Sequence, residues 1–169
     1  MKANGNDEGK ARAYVAELYK HVPVLDSGAR AATVTFGKRE QGDVLLSWEN
    51  EAYLAVKEFG ADKLEIVTPK VSILAEPPVA VLETATEKNG TTKVAKAYLE
   101  FLYTPAAQEV IAENHYRPRD AGVAKKHEGD FAKIELFTID EVFGGWTKAQ
   151  ATHFADKGVF DQIISEGKK

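Results

Sequence analysis

The stretch VLDSGARAATVTFGKREQGDVLLSW, Val24 to Trp48, decides the fold. It opens on a short strand-like segment, turns sharply through Asp26-Ser27-Gly28 and enters a helical run that ends near Gly37 to Gly42. Ser27 is the expected N-cap of that helix, because a serine oxygen accepts from first-turn amides. DVLLSW, Asp43 to Trp48, is then a continuous apolar run of strand length, the pattern of a parallel strand buried on both faces.

Working outward, ENEAYLAVKEFG reads as a helix stopped by Gly60, and KLEIVTP as a further strand. Strand, helix, strand, helix, strand is the order of an α/β fold with a mostly parallel sheet. Upstream, PVLD is the first short strand, and Asp7 caps a helix over Glu8 to Lys20 with Ala11, Tyr14, Val15 and Leu18 as its apolar stripe. Downstream, Pro77-Pro78 forbids helix and favours an extended crossing segment. A largely helical region follows. Thr91 or Thr92 starts a helix with Val94, Ala97, Tyr98, Phe101 and Leu102 inward. Thr104 and Pro105 are the cap and first residue of another helix, reaching about Asn114. The loop HYRPRDAG, a short strand in IELFTI and a last helical stretch from about Trp146 to Ile164 complete the chain.

Bulk properties narrow the function. With 169 residues, 44% of them hydrophobic, the chain can bury one sizeable core or two small ones. A formal charge of -4 and a pI near 5.6 argue against nucleic acid as a partner, which needs a basic face. A small anion is compatible with that charge, since a local array of N–H donors binds one. There is no cysteine, so the chain forms no disulfide. No apolar run approaches the ~18 residues of a membrane span. MKANGNDEGKARAYV has no hydrophobic core segment of a secretory leader, so no signal peptide is expected there.

Enzyme chemistry finds no foothold. Ser27 in LDSGA lacks the preceding glycine spacing of a nucleophile elbow, and His21, His115, His127 and His153 have no local partner pattern. KKHEGD offers His127, Glu128 and Asp130 but no metal-site spacing, and reads as a solvated loop. Neither glycine-rich phosphate cradle is present, so no cofactor is expected. Arg117 and Arg119 in YRPRD read as a loop tied to nearby carboxylates, with Asp120 at hand.

Two positions remain. Ligands in open α/β sheets sit at the carboxyl ends of strands, where the next helices begin, and both Ala29 and Trp48 fall at such ends. Helix starts present amides without intrahelical acceptors and the positive end of the dipole, which suits an anion. Gly28 allows close approach, and Ala29 has only its N–H to offer. Arg30 is expected to pair with Asp26, since an unpaired carboxylate there would repel an anion. The Trp48 indole donates and cannot accept. Two donor-only groups suit a fully deprotonated oxyanion.

The blocks VLDSGARAATVTF, GDVLLSWENEAYLA, LEIVTPKVSILAEPPVAVLE, YLEFLYTPAAQEVIAENHYRPRDA and FTIDEVFGGWTKAQATHFADKGVFDQI, in this order, resemble the periplasmic sulfate- and thiosulfate-binding proteins of ABC-type importers. The resemblance implies a type II periplasmic solute-binding fold with the oxyanion in a cleft between two lobes, delivered to a membrane permease, and no enzymatic activity. It implies a dianion held by backbone amides, serine hydroxyls and one indole. On that pattern Ala29 matches a backbone donor and Trp48 the indole donor, with Asp26, Ser27, Gly28 and Arg30 in support. Only the C-terminal half of such a protein is covered: the family's N-P-K-S/T-S-G-x-A-R donor segment is absent. The fold expected is therefore an incomplete one, a three-layer αβα lobe plus a mostly helical return segment. Residues 1–76 would belong to the second lobe, and 77–169 to a hinge strand and the helical return to the first. A partial site implies weak binding of sulfate or thiosulfate, and pairing with the missing N-terminal half or a second copy of the chain. The rival expectation is an interaction fragment that pairs with another chain and binds no anion.

Overall fold

The computed structural model describes residue 5 and residues 7–167. Residues 1–4, 6, 168 and 169 lie outside the described residues, and with them the opening of the segment read above for a leader. The chain is helix-rich, with α/β content. Among the described residues there are two strands, β1 (Val71–Ile73) and β2 (Glu135–Phe137), which form a two-stranded sheet. The packing separates into two compact units, Met1–Ser47 with Leu136–Lys169, and Trp48–Glu135.

In the first unit, α1 (Glu8–Lys20) begins where expected, the Asp7 carboxylate accepting from the Lys10 N–H at 3.0 Å. It pairs with α10 (Val159–Gly167): Tyr19 meets Phe160 edge to face at 5.5 Å, and Arg12 donates to Gln162 Oε1 at 3.0 Å. Ile163 is buried, but no residue of α1 is, and Tyr14 and Leu18 of the expected stripe are exposed. Ala11 and Val15 of that stripe are half-buried, on the face that carries Arg12 and Tyr19, so the docking face is rotated from the predicted line and shares half of it. Between Ala29 and Arg39 runs α2, with Thr33 and Thr35 buried. Thr33 Oγ1 donates back to the Ala29 carbonyl at 3.0 Å, which lets a polar residue sit inside without an unmet hydroxyl.

Further along this unit, α8 (Ile139–Phe143) starts on a reciprocal cap. Thr138 Oγ1 accepts from the Glu141 amide, and the Glu141 carboxylate accepts from the Thr138 N–H at 2.8 Å, which also lowers the Glu141 pKa. The predicted last helix is broken. It comprises α9 (Trp146–Ala149), a π turn over Gln150–Phe154, and α10 after a turn at Gly158.

In the second unit, α3 (Glu49–Phe59) ends at Gly60, whose φ of 109° is a left-handed conformation that favours glycine. Next come α4 (Glu83–Lys88), α5 (Thr92–Phe101), α6 (Pro105–Glu113) and α7 (Ala121–Lys126). Thr104 caps α6 and Pro105 occupies its first turn, as expected. Ala55, Ala107, Ala112 and Val123 are buried, together with Gln108. Gln108 ties the unit together: its amide donates to the Leu102 carbonyl at 2.7 Å, and its oxygen accepts from the Arg119 and Asp120 amides at 2.5 and 3.3 Å.

Three expectations about strands and core fail. PVLD, DVLLSW and KLEIVTP are not strands, and Val44 and Leu46 are 79% and 76% exposed rather than buried on both faces. A parallel strand exists only through hydrogen bonds to neighbours, and these segments have no ladder here. The third failure is in α5, where Val94, Tyr98 and Phe101 were expected inward and are all exposed.

Candidate functional site

Ala29 is the first residue of α2 and is exposed. The cap residue is Gly28, not Ser27, so the expected role of the serine is corrected: it lies one position upstream and gives no side-chain bond to the helix. Gly28 is extended (φ -172°, ψ 163°), as a cap residue is, and its carbonyl accepts the first helical bond, so the cap position falls on the glycine and Ser27 stands outside the helix. The space beside Gly28 is open, with no atom within 4 Å of where a Cβ would stand. Ala32 closes the first helical bond, its N–H donating to the Gly28 carbonyl at 3.0 Å. The helix start thus presents the Ala29 amide with no capping side chain on it. Asp26 is half-buried, and Ser27 and Arg30 are exposed.

Trp48 lies in the second unit. It is not the end of a strand but the N-cap residue of α3, extended at φ -65° and ψ 149°, with its carbonyl accepting from the Ala52 N–H at 3.0 Å. Its side chain is 58% exposed. An indole cannot accept, so it leaves the first-turn amides of α3 uncapped as well. Both candidate residues therefore stand at helix starts that their own side chains leave open.

The first turn of α3 carries Glu49 and Glu51, charges that disfavour an anion. Glu49 is neutralised. Arg117 grips it with two bonds, Nε to Oε2 at 2.6 Å and Nη2 to Oε1 at 2.7 Å, and both side chains are half-buried. These bonds raise the Arg117 pKa. A planar fork on a carboxylate is the strong form of this interaction. Asn50, buried beside it, donates to the Tyr116 hydroxyl at 2.9 Å, and Tyr53 stacks on His115 at 4.6 Å.

The tie between the arginine pair and carboxylates holds in kind, with different partners from the one expected. Arg117 takes Glu49, and Arg119 takes Glu76 at 3.2 Å. Asp120 instead caps α7, accepting from the Val123 N–H at 2.9 Å. KKHEGD is more than a solvated loop, because His127 is mostly buried between Glu109 at 2.8 Å and Asp130 at 2.7 Å. Hydrogen bonds to Glu109 and then Asp130 raise the His127 pKa, while those from Lys126 and His127 lower that of Glu109. Sequence reading missed Glu49, Asn50 and Tyr116. The only available hint was the polar triplet Glu49-Asn50-Glu51 directly after Trp48.

A family model of bacterial extracellular solute-binding proteins matches residues 2–117. The chain is 62% identical to the sulfate-binding protein of Escherichia coli (strain K12) over 160 residues, which is 95% of this chain and 49% of the relative. It is 48% identical to the thiosulfate-binding protein of Pseudomonas aeruginosa over 162 residues, 96% of this chain and 49% of that relative. Identity to the sulfate-binding protein of Synechocystis is 38% over 162 residues, 96% of this chain and 46% of the relative. The chain spans about half the length of the curated relatives it matches. With more than half of its residues under the family model, the chain belongs to the bacterial extracellular solute-binding proteins.

Proposed function

We propose that this chain is the C-terminal half of a sulfate-binding protein and supplies part of the anion site, not an enzyme active site. The observation that carries the reading is the pair of open helix starts. The Ala29 amide heads one and the Trp48 indole the other, both donor-only and both exposed. A fully deprotonated dianion accepts at every oxygen, so donors without lone pairs discriminate for it and against groups that must themselves donate. Pairing of Glu49 with Arg117 neutralises one of the two carboxylates in the first turn of α3, Glu51 being the other. The names of the relatives support the ligand class.

In this reading residues 1–76 belong to the second lobe of a type II periplasmic solute-binding fold, and 77–169 to the hinge and the helical return to the first. The neighbours that would make strands of DVLLSW and KLEIVTP, and the cover for α5, come from the other half or from a second copy of the chain. The complete protein works in the periplasm and hands its anion to an ABC-type permease. Thiosulfate is the second ligand, favoured by the 48% identity to a thiosulfate-binding protein. Ala29 and Trp48 do not separate the two anions.

Magnitudes decide what the chain does alone. Two charge-assisted bonds contribute at most about 3–6 kcal/mol gross, whereas a micromolar complex needs about 8 kcal/mol net. The isolated chain therefore binds sulfate at millimolar concentration or weaker, and mixing it with the N-terminal half of the Escherichia coli relative restores micromolar binding. Titration of sulfate against tryptophan fluorescence, with and without that half, measures this. Absence of sulfate binding by a stable complex of the two halves overturns the reading and favours an interaction fragment.

A further inference from the structure

We propose that Arg117 is a positioning residue that fixes the Trp48 indole by locking the first turn of α3. The functional meaning rests on the reading of Trp48 as an anion donor, while the fixation itself is a property of the chain without ligand.

Trp48 has little packing to hold it. Its side chain is largely solvent-exposed, so the restraint the fold can place on the indole is on the backbone that carries it, which limits the range the rotamers sweep. That backbone is the N-cap of α3, and helix ends fray unless something ties the first turn. Here the ties come from one short segment. Arg117 holds Glu49, Tyr116 accepts from Asn50, and His115 stacks on Tyr53, so three consecutive residues grip the first and second positions of the helix and the face one turn on. Arg117 is the centre of this grip because it is anchored on the far side too. Its Nη2 donates to the Ala132 carbonyl at 2.8 Å, and its guanidinium lies over the Phe131 ring, 5.2 Å from the centroid.

The chemistry requires arginine. A guanidinium presents its donors in a rigid plane, so it can take both oxygens of Glu49, a carbonyl and an aromatic face together; an ammonium is a point charge that holds one direction at a time. The anion never meets this charge in the proposal. Arg117 spends it on Glu49, and what reaches the ligand is the orientation of Trp48.

The test uses the 169-residue chain with Trp146→Phe, which leaves Trp48 as its one tryptophan. Time-resolved fluorescence anisotropy then reads the local motion of the indole with no sulfate present. Arg117→Ala is expected to raise the amplitude of the fast, nanosecond component about twofold. Arg117→Lys restores only part of the difference, and Glu49→Gln raises it without adding to Arg117→Ala in the double variant. An unchanged decay in Arg117→Ala, with the parent's far-ultraviolet circular dichroism retained, overturns the proposal. If Arg117→Ala loses helix content, Glu49→Gln decides, since it breaks the same pair with the smallest change in shape: an unchanged decay there is equally fatal. Failure here leaves the anion reading standing, because that is judged by sulfate affinity and this by a ligand-free signal.

Discussion

Replacing Gln108 should loosen the second unit more than any single surface change. The side chain is almost completely buried and makes three hydrogen bonds, one to the carbonyl that ends α5 and two from the amides just before α7. Gln108→Ala removes all three and leaves the Leu102 carbonyl and the Arg119 and Asp120 amides without this partner. A net hydrogen bond is worth about 0.5–1.5 kcal/mol, and an orphaned buried group costs about 1–3 kcal/mol. Water reaches part of the site, since Arg119 is exposed, so a total of about 2–4 kcal/mol follows. Gln108→Met keeps the length and the apolar stem, so it separates packing from hydrogen bonding. It should lose most of what alanine loses. The assay is urea unfolding followed by far-ultraviolet circular dichroism, with hydrogen exchange of residues 116–126 as the local readout. Those amides should exchange faster in both variants, because the segment that grips α3 hangs from this glutamine. A methionine variant within about 0.5 kcal/mol of the parent, with exchange unchanged, refutes the reasoning.

Two further outcomes follow from the geometry. Ala29→Pro deletes the amide at the first helical position, where proline is tolerated, and the extended Gly28 before it suits a following proline. In the complemented protein it should weaken sulfate about tenfold while Ala29→Ser does not, and equal calorimetric affinities would move the site elsewhere. The α6–α7 latch of His127 with Glu109 and Asp130 depends on pH with a defined sign. The folded imidazole pKa is raised, so its contribution is complete below the unfolded value of about 6.5 and fades as pH rises through the folded value. The lowered Glu109 carboxylate acts oppositely, its contribution fading as pH falls through its depressed pKa. Urea midpoints from about pH 4 to about pH 9 should peak between these limits, and His127→Gln should flatten the alkaline fall. A fall that survives His127→Gln assigns the dependence to another group.

Most helix-end signals in the sequence were legible, Ser27 excepted, and non-local ones were not. Asp7, Gly60 and the Thr104-Pro105 pair specify helix ends through chemistry contained in four or five residues, and each stands where it was read. The capping box of Thr138 with Glu141 is of the same kind and was readable in principle. Strands are different, because DVLLSW has the composition of a buried strand but composition carries no hydrogen-bonded neighbour. The outward face of α5 fails for the same reason: Val94, Tyr98 and Phe101 are spaced to be covered, and spacing does not supply a cover. At the candidate site, Ala29 and Trp48 were picked out as ends of strands where helices begin; the strands are absent, and only the helix starts stand where they were read. Their support was not legible, since Arg117 and Glu49 are 68 residues apart in sequence and nothing local links them.

The central claim is that Trp48 donates to a bound sulfate, and calorimetry tests it most directly. Sulfate is titrated into the complex of this chain with the N-terminal half of the Escherichia coli relative, with Trp48 intact and as Trp48→Phe. Phenylalanine keeps the ring at the helix start and removes the N–H, a donor to a charged acceptor worth about 1.5–3 kcal/mol. The account predicts a loss in affinity of about tenfold to a hundredfold with the circular dichroism unchanged. Equal affinity in the two complexes would contradict it, and would make Trp48 an exposed aromatic with no part in holding the anion.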